Sequence, residues 1–224
     1  MKHLEAKKMW DERFNSEDFL FGTEANTFLQ EMAPKYLKEN ARILCIADGE
    51  GRNSTWLAQQ NHQVDAFDFS DIAIEKAKKF ASSKNVEVNY VVSDCESINW
   101  EAGDYDAIIA IFIQFSNPKE RSLLFKDMLL ALKPGGILIL QGYTPKQLEY
   151  KTGGPSQIEN LYTERIIKSL LKNTKIEVLK SYEAELSEGK AHSGKSALIG
   201  VVAIKNPVSI WQFALSAIMM PMFS

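Results

Sequence analysis

From Ala41 onward, short runs rich in Val, Ile and Leu alternate with stretches of helical periodicity, and few architectures accommodate that alternation. Continuous apolar strands need cover on both faces, which a parallel sheet sandwiched between helices provides. The runs predict strands at 42–46, 63–68, 86–92, 105–112 and 136–142, with helices at 53–60, 71–83 and 118–132 between them. The last helix is the best signalled, with Asn117 as cap, Pro118 in the first turn and Glu120 where a capping box places its acid. "LKPGG" stops it and turns the chain into the next strand. After Gly142 the stretch "YTPKQLEYKTGGP" reads as a long surface loop. A helix near 163–172 then leads to extended runs at 175–186 and 196–204, joined as a hairpin by "SEGKAHSG". The expected fold is therefore α/β, a doubly wound and mostly parallel seven-stranded sheet with helices on both faces and an antiparallel C-terminal hairpin.

With 224 residues, 45% of them hydrophobic, the chain can bury one sizeable core. The stretches near 4–14 and 26–38 are too short for a domain of their own, so 1–40 reads as a helical cap on a single domain spanning 1–205. Residues 206–224 form an extension whose segment "VSIWQFALSAIMMPMFS" carries no charge. It is short for a spanning helix and is interrupted by Gln212, Ser216 and Pro221, so a membrane anchor is disfavoured against packing on the domain, contact with a second copy of the chain, or a mobile extension. A formal charge of −3 offers no basic field for nucleic acid. The two cysteines, Cys45 and Cys95, are too few for a disulfide framework or a metal set. No apolar leader stands at the front, and a cytoplasmic location is expected.

The loop "ILCIADGEGRN" carries most of the functional signal. Strand, Gly-x-Gly and helix in that order usually cradle a phosphate, but Ser54 stands in the third glycine position, and Asp48 and Glu50 within the loop would repel a diphosphate. A ligand with positive groups is favoured instead. Asp68 ends the second strand 17 residues beyond Gly51, where a carboxylate accepts from two ribose hydroxyls. Asp94, after the third strand, is placed for an adenine amino group or for a turn. An adenosine with a cationic third substituent, as in S-adenosylmethionine, fits this set.

The chain resembles class I S-adenosylmethionine-dependent methyltransferases with a Rossmann-like fold, in particular the tellurite-resistance and thiopurine-type small-molecule branch. The matching stretches include "WDERF", "FGTEANTFL", "ILCIADGEGRNSTWLA", "VDAFDFSDIAIEKA", "YDAIIAIFIQF" and "ELSEGKAHSGKSALIGVVA". The resemblance implies that Ala47, Asp48, Gly49 and Gly51 lie along the methionine portion, that Asp68 and Phe69 flank the ribose, and that Asp94 and Cys95 read adenine. Ile111 would line the reactive side, and Trp10 would close over the cofactor from the cap. The family usually has an acid at the position of Cys45 and a glycine at that of Ala47.

Methyl transfer from a sulfonium needs no metal and no covalent intermediate, because displacement leaves a neutral thioether and depends mainly on alignment and exclusion of water. The acceptor pocket is expected at the end of "IFIQF", the "YTPKQLEYKTGGP" loop and the hairpin, with His192 and Gln114 as candidate catalytic residues. For His192 a solvated hairpin turn is the plain alternative, and for Gln114 a helix cap. Trp10, Phe14 and Phe21 are candidates to stabilise the sulfonium. The expected partner is a small-molecule methyl acceptor, among which a thiol or a chalcogen oxyanion would need no general base. The alternatives are an S-adenosylmethionine-binding protein without turnover and an NAD-dependent oxidoreductase. Lys76, Lys78 and Lys79 read as a solvated helix face.

Overall fold

A computed structural model describes residues 2–207. Seven strands form one sheet in the order β3-β2-β1-β4-β5-β7-β6. β1 (Arg42–Ile46), β2 (Gln63–Asp68), β3 (Asn89–Val92), β4 (Tyr105–Ile111) and β5 (Leu132–Tyr143) run parallel, and β6 (Thr174–Glu188) and β7 (His192–Lys205) close one edge as an antiparallel pair. The expected fold class is observed.

Side chains alternate across β1, and that alternation separates two cores. Ile43 and Cys45 pack with Phe28, Leu29, Leu57, Ile74 and Ala77, which belong to α2 (Thr27–Tyr36), α3 (Arg52–Gln59) and α4 (Asp71–Ser83). Leu44 and Ile46 face Leu124, Phe125, Met128 and Ile167, from α5 (Pro118–Ala131) and α7 (Glu164–Leu170). A third, smaller cluster of Tyr143, Leu161, Leu186 and Leu198 lies beyond the ends of the central strands. β1 pairs with β2 on one side and β4 on the other, so the chain reverses direction across the sheet between β1 and β4, and a crevice opens there at the strands' carboxyl ends.

Three boundaries differ from expectation for identifiable reasons. β3 starts at Asn89 because its pairing with β2 begins at Asp65↔Asn89; Val86 and Val88 before it are packed on the core without a ladder. β5 starts at Leu132, since Leu132 already pairs with Tyr105 and the "KPGG" kink is taken up by a register shift inside the ladder. The hairpin is longer than "SEGKAHSG" suggested: pairing runs to Glu188↔His192, which removes His192 from the turn and makes it the first residue of β7. The surface loop after Gly142 contains two structured turns, α6 (Gln147–Tyr150) and a 3₁₀ turn at Ile158–Asn160. Gln147 is buried there, its amide bonded to Ala197 N, Thr152 Oγ1 and Gly153 O. Residues 208–224, to which the readings of the apolar tail apply, lie outside the described residues.

The N-terminal cap joins the main fold through α1 (Lys2–Phe14), which packs on α4. Ser70 Oγ donates to Asp11, and Lys7 pairs with Asp71 at the start of α4.

Candidate functional site

The loop after β1 turns at three left-handed residues: Ala47 (φ 46°), Gly49 (φ 60°) and Gly51 (φ 84°). Ala47 occupies a backbone region that costs a residue with a Cβ about 1–2 kcal/mol. Phe112, directly after β4, is also left-handed, at φ 56°, which is rarer still for a bulky side chain. Its N–H bonds Gln141 O at 2.8 Å. Strained residues thus follow both β1 and β4, the neighbouring strands that border the crevice, and strain of this kind collects at ligand sites.

The two glycines serve different purposes. A Cβ on Gly49 would meet only the Phe14 ring, at an ordinary 3.6 Å, so this part of the loop is open to whatever the cap covers. A Cβ on Gly51 would lie 2.6 Å from Tyr90 Oη and 2.8 Å from the Ala77 Cβ, so Gly51 is required by packing of the loop on α4 and β3 rather than by ligand approach.

Asp68 is buried at the end of β2, with Oδ2 accepting from Gly49 N at 3.0 Å and Oδ1 from Ser70 N at 3.0 Å. It ties the glycine loop to the start of α4 and keeps lone pairs for a ligand hydroxyl. Burial pushes its pKa up to about 6, against the pull of those backbone donors, and Asp11 adds to the rise. Asp48 accepts from Ser54 Oγ, which also meets Tyr90 Oη at 2.8 Å. Its pKa rises to about 7, from desolvation first and from Asp68 second, with Ser54 and Arg52 opposing.

Glu50 corrects the simple picture of an acidic loop. Its carboxylate is buried, forms an ion pair with Lys76 and accepts from Leu20 N at 2.7 Å. It therefore fastens the cap rather than facing a ligand. Lys76 is likewise no solvated lysine, because its Nζ also donates to Phe14 O, Ser16 O and Asp18 O at 3.2, 2.9 and 2.8 Å.

Asp94 and Cys95 lie half-buried after β3. Asp94 Oδ1 accepts from Glu96 N (3.0 Å) and Ser97 N (2.7 Å), forming the turn named as its alternative. Burial raises the Cys95 thiol to about 12 and Cys45 well above its usual value, so neither is a ready nucleophile. Phe69 is half-buried between Asp68 and the Ser70 cap of α4, and Ile111 is buried at the end of β4.

Aromatic rings run without a break from the cap to the strand ends. Trp10 stacks on Phe14 with centroids 5.4 Å apart, and each lies 6.2 Å from Phe21. Phe21 reaches His192 at 4.6 Å, Phe112 lies 4.3 Å from His192, and Tyr143 stacks on Phe112 at 4.7 Å. Of the two candidate catalytic residues, His192 belongs to this wall. It is buried rather than solvated, and desolvation, with Arg52 and Arg13, lowers its pKa to about 3. Gln114 does not offer its amide to the crevice. Its Nε2 donates to Tyr143 O at 2.9 Å and Asn160 O at 3.2 Å, and its Oε1 accepts from Tyr143 N.

One network escaped sequence reasoning altogether. Arg52 and Glu188, both buried, pair at 2.7 Å; Asn26 Nδ2 donates to Glu188 at 2.9 Å and to Gln141 Oε1 at 2.6 Å. It joins α3, the start of α2, β5 and the hairpin. Only the cluster of polar residues at strand and helix ends hinted at it. Among the described residues no group of three or more His, Cys, Asp or Glu could hold a metal, and no helix is long and apolar enough to cross a membrane.

Comparison with known proteins bears on the central segment and the fold. Residues 43–136 match the model of a methyltransferase domain. Over 118 residues the chain is 34% identical to the ubiquinone/menaquinone biosynthesis C-methyltransferase of Geotalea daltonii, covering half of each protein. The chain therefore spans about half the length of that curated relative. A S-adenosylmethionine-dependent methyltransferase structure from Methanosarcina mazei superposes with a TM-score of 0.67 at 22% identity, over 82% of this chain and 99% of that one. A structure from the conversion of a disulfide bond into a thioacetal group during echinomycin biosynthesis superposes with a TM-score of 0.77 at 11% identity, over 98% of both chains. Residues 43–136 thus resemble a methyltransferase domain, and the solved structures bear out the expected fold. These matches do not single out the tellurite-resistance and thiopurine branch.

Proposed function

We propose that this chain, whose centre is a class I methyltransferase domain, transfers a methyl group from S-adenosylmethionine to a small-molecule acceptor. The observation that carries the reading is the crevice between β1 and β4, where Asp68 holds the open Gly49 turn from below and an aromatic wall covers it from above. Bound there, the cofactor would supply a methyl on a sulfonium, which an acceptor in line with the C–S bond would take as the neutral thioether leaves.

The residues present fit that cofactor. Asp68 is anchored to receive ribose hydroxyls, with Phe69 beside it. Ala47, Asp48 and Gly49 line the methionine side, Gly51 sets the loop, Asp94 and Cys95 border the base, and Ile111 lines the reactive side. Asp48 and Asp68, held partly protonated without a cation, favour a positively charged ligand over a diphosphate. Trp10, Phe14 and Phe21 offer ring faces to a sulfonium and exclude water. Gln114 is a positioning residue that fixes the backbone of Tyr143.

A general base works best with a pKa near the working pH, whereas His192, at about 3, stays neutral at any physiological pH. Its role is hydrogen bonding to the acceptor, and the acceptor is one that needs no strong base, such as a thiol or a chalcogen oxyanion. The cap, 1–40, works as part of one unit extending to 205. The two unpaired thiols fit a reducing, cytoplasmic setting.

Supplying cofactor labelled in its methyl group to the chain with a panel of thiols, tellurite, selenite, halides and small phenols tests the reading. Label is expected in at least one acceptor. Tight cofactor binding with no transfer to any member would instead mark a binding protein without turnover.

A further inference from the structure

Arg52 follows Gly51 directly and opens α3, which brings a guanidinium to the glycine loop, beside a crevice whose carboxylates favour a cation. Aimed into that crevice it would repel such a ligand and neutralise Asp48, four residues back. It is turned elsewhere. Its Nη2 pairs with Glu188 at 2.7 Å, each side chain only 7% exposed, and its Nη1 donates to Glu24 O at 3.3 Å. Asp48 is left with no lysine or arginine in ion-pair contact among the described residues. Its carboxylate accepts from Ser54 Oγ, which also meets Tyr90 Oη at 2.8 Å. Desolvation and the neighbouring Asp68 make its proton harder to lose, and Arg52 opposes them only in part.

The carboxylate that draws Arg52 away stands at the end of β6 and is itself fixed. Asn26 Nδ2 donates to it at 2.9 Å and Thr27 N at 3.4 Å, besides the guanidinium. Asn26 is held in turn, donating from its side chain to Gln141 Oε1 at 2.6 Å and from its backbone to Asn53 Oδ1 at 2.9 Å. Asn26 and Thr27 alone would tie the hairpin to α2. Burying a guanidinium against the same carboxylate adds the desolvation of a second charge, which points to a role for the direction the guanidinium takes.

We propose that Glu188 is a positioning residue that determines cofactor specificity: by holding the Arg52 guanidinium away from Asp48, it keeps the loop carboxylate free for the ammonium of a cationic cofactor. The identity of that cofactor rests on the methyl-transfer reading above; the hold on Arg52 does not. As a pair, Arg52 and Glu188 are neutral. Removing the Glu188 charge alone leaves a buried guanidinium without its anion, and Asp48 on the same loop is an unpaired carboxylate open to it. Removing both charges leaves amides that still donate and accept, and no cation competes for Asp48.

The test uses the full chain as wild type, Glu188→Gln and the double variant Arg52→Gln/Glu188→Gln. The Asp48 carboxyl ¹³C resonance is followed against pH without ligand. Affinity is measured for S-adenosylhomocysteine and for methylthioadenosine, which keeps the nucleoside and the thioether but has no ammonium. Glu188→Gln is expected to lower the Asp48 midpoint by about one pH unit or more and to weaken S-adenosylhomocysteine by about tenfold or more, with methylthioadenosine changed by less than about twofold. The double variant should return both readings to those of the wild type, which loss of a structural tie would not do. An unmoved Asp48 midpoint, equal weakening of the two ligands, or a double variant that behaves like Glu188→Gln would overturn the proposal. Should Glu188→Gln fail to fold, the double variant decides alone: wild-type titration and selectivity are expected there, and their loss overturns the proposal. If the wild type binds S-adenosylhomocysteine no better than methylthioadenosine while the Asp48 midpoint still falls in Glu188→Gln, the hold on Arg52 stands and the methyl-transfer reading falls.

Discussion

At the scale of single residues, carboxylates and backbone conformation decide what the crevice accepts. Asp68 holds Gly49 N through one carboxylate oxygen and Ser70 N through the other, and the proposed function gives it the ribose as well. Asp68→Ala is expected to weaken cofactor binding by about 1.5–3 kcal/mol, the usual worth of a hydrogen bond to a charged group, in a variant that calorimetry and circular dichroism show to be folded. Unchanged affinity would remove Asp68 from the ribose site. The left-handed residues separate strain from packing. Ala47→Gly relieves a φ of 46° and should raise stability by up to about 1 kcal/mol, whereas Gly51→Ala drives a Cβ into Tyr90 and Ala77 and should cost about 1–3 kcal/mol or more, both read from denaturant midpoints. The sequence placed Asp68 at the end of β2 and the glycine turn after β1 because chain position and residue type suffice for that much. It could not show that Gly51 faces inward or that Phe112 is left-handed, since both depend on neighbours distant in the chain.

At the scale of elements, the cap is held by a dense set of ties to the main fold. Lys76 gathers three carbonyls of the segment 14–18 and the Glu50 carboxylate, and Lys190 adds a tie to Asp18 at 2.6 Å. Lys76→Met keeps the length of the stem and removes the charge, so it should loosen the cap over the cofactor. Stopped-flow displacement of bound S-adenosylhomocysteine is expected to show an off-rate raised by about tenfold or more, the kinetic equivalent of one charge-assisted bond. An unchanged rate would mean that the cap does not gate release. Lys76 looked like its solvated neighbours Lys78 and Lys79 in sequence, because helical periodicity places a residue on a face without saying what lies against that face. The helix at Pro118 was readable for the opposite reason: its capping box is local, and the structure contains both of its bonds. The hairpin lay between these cases. Its strands were legible, but the pairing that takes in His192 at Glu188↔His192 was not, nor was the close packing of the Gly189 turn on Gly22, where a Cβ on Gly189 would fall 2.3 Å from Gly22 N.

At the scale of the whole molecule, alternating strand and helix determined the sheet, and the reversal between β1 and β4 placed the crevice where an open α/β sheet binds its ligands. The buried Arg52–Glu188 pair and its amide partners then tie the two halves of the sheet together behind that crevice, a link assembled from positions 26, 52, 141 and 188. No window of sequence could have revealed it. Linkage connects the crevice to the stability of the whole chain. Asp48 and Asp68, with Arg52 and Asp11 beside them, have folded pKa values of about 7 and about 6, above the ordinary 3.8. The native state therefore holds extra protons between about pH 4 and pH 7, and the stability they contribute, full below that window, is lost as pH rises through it. A cation in the crevice compensates the ionised pair, so its binding should strengthen over the same range.

Thermal denaturation of the full chain at pH 5 and pH 8, with S-adenosylmethionine, S-adenosylhomocysteine or NAD in excess, measures that preference directly. The expected result is a rise in Tm with both adenosyl ligands, larger at pH 8 than at pH 5 for the sulfonium, and none with NAD. Stabilisation by NAD equal to or greater than that by S-adenosylmethionine, or a sulfonium increment that shrinks as pH rises, would contradict the account.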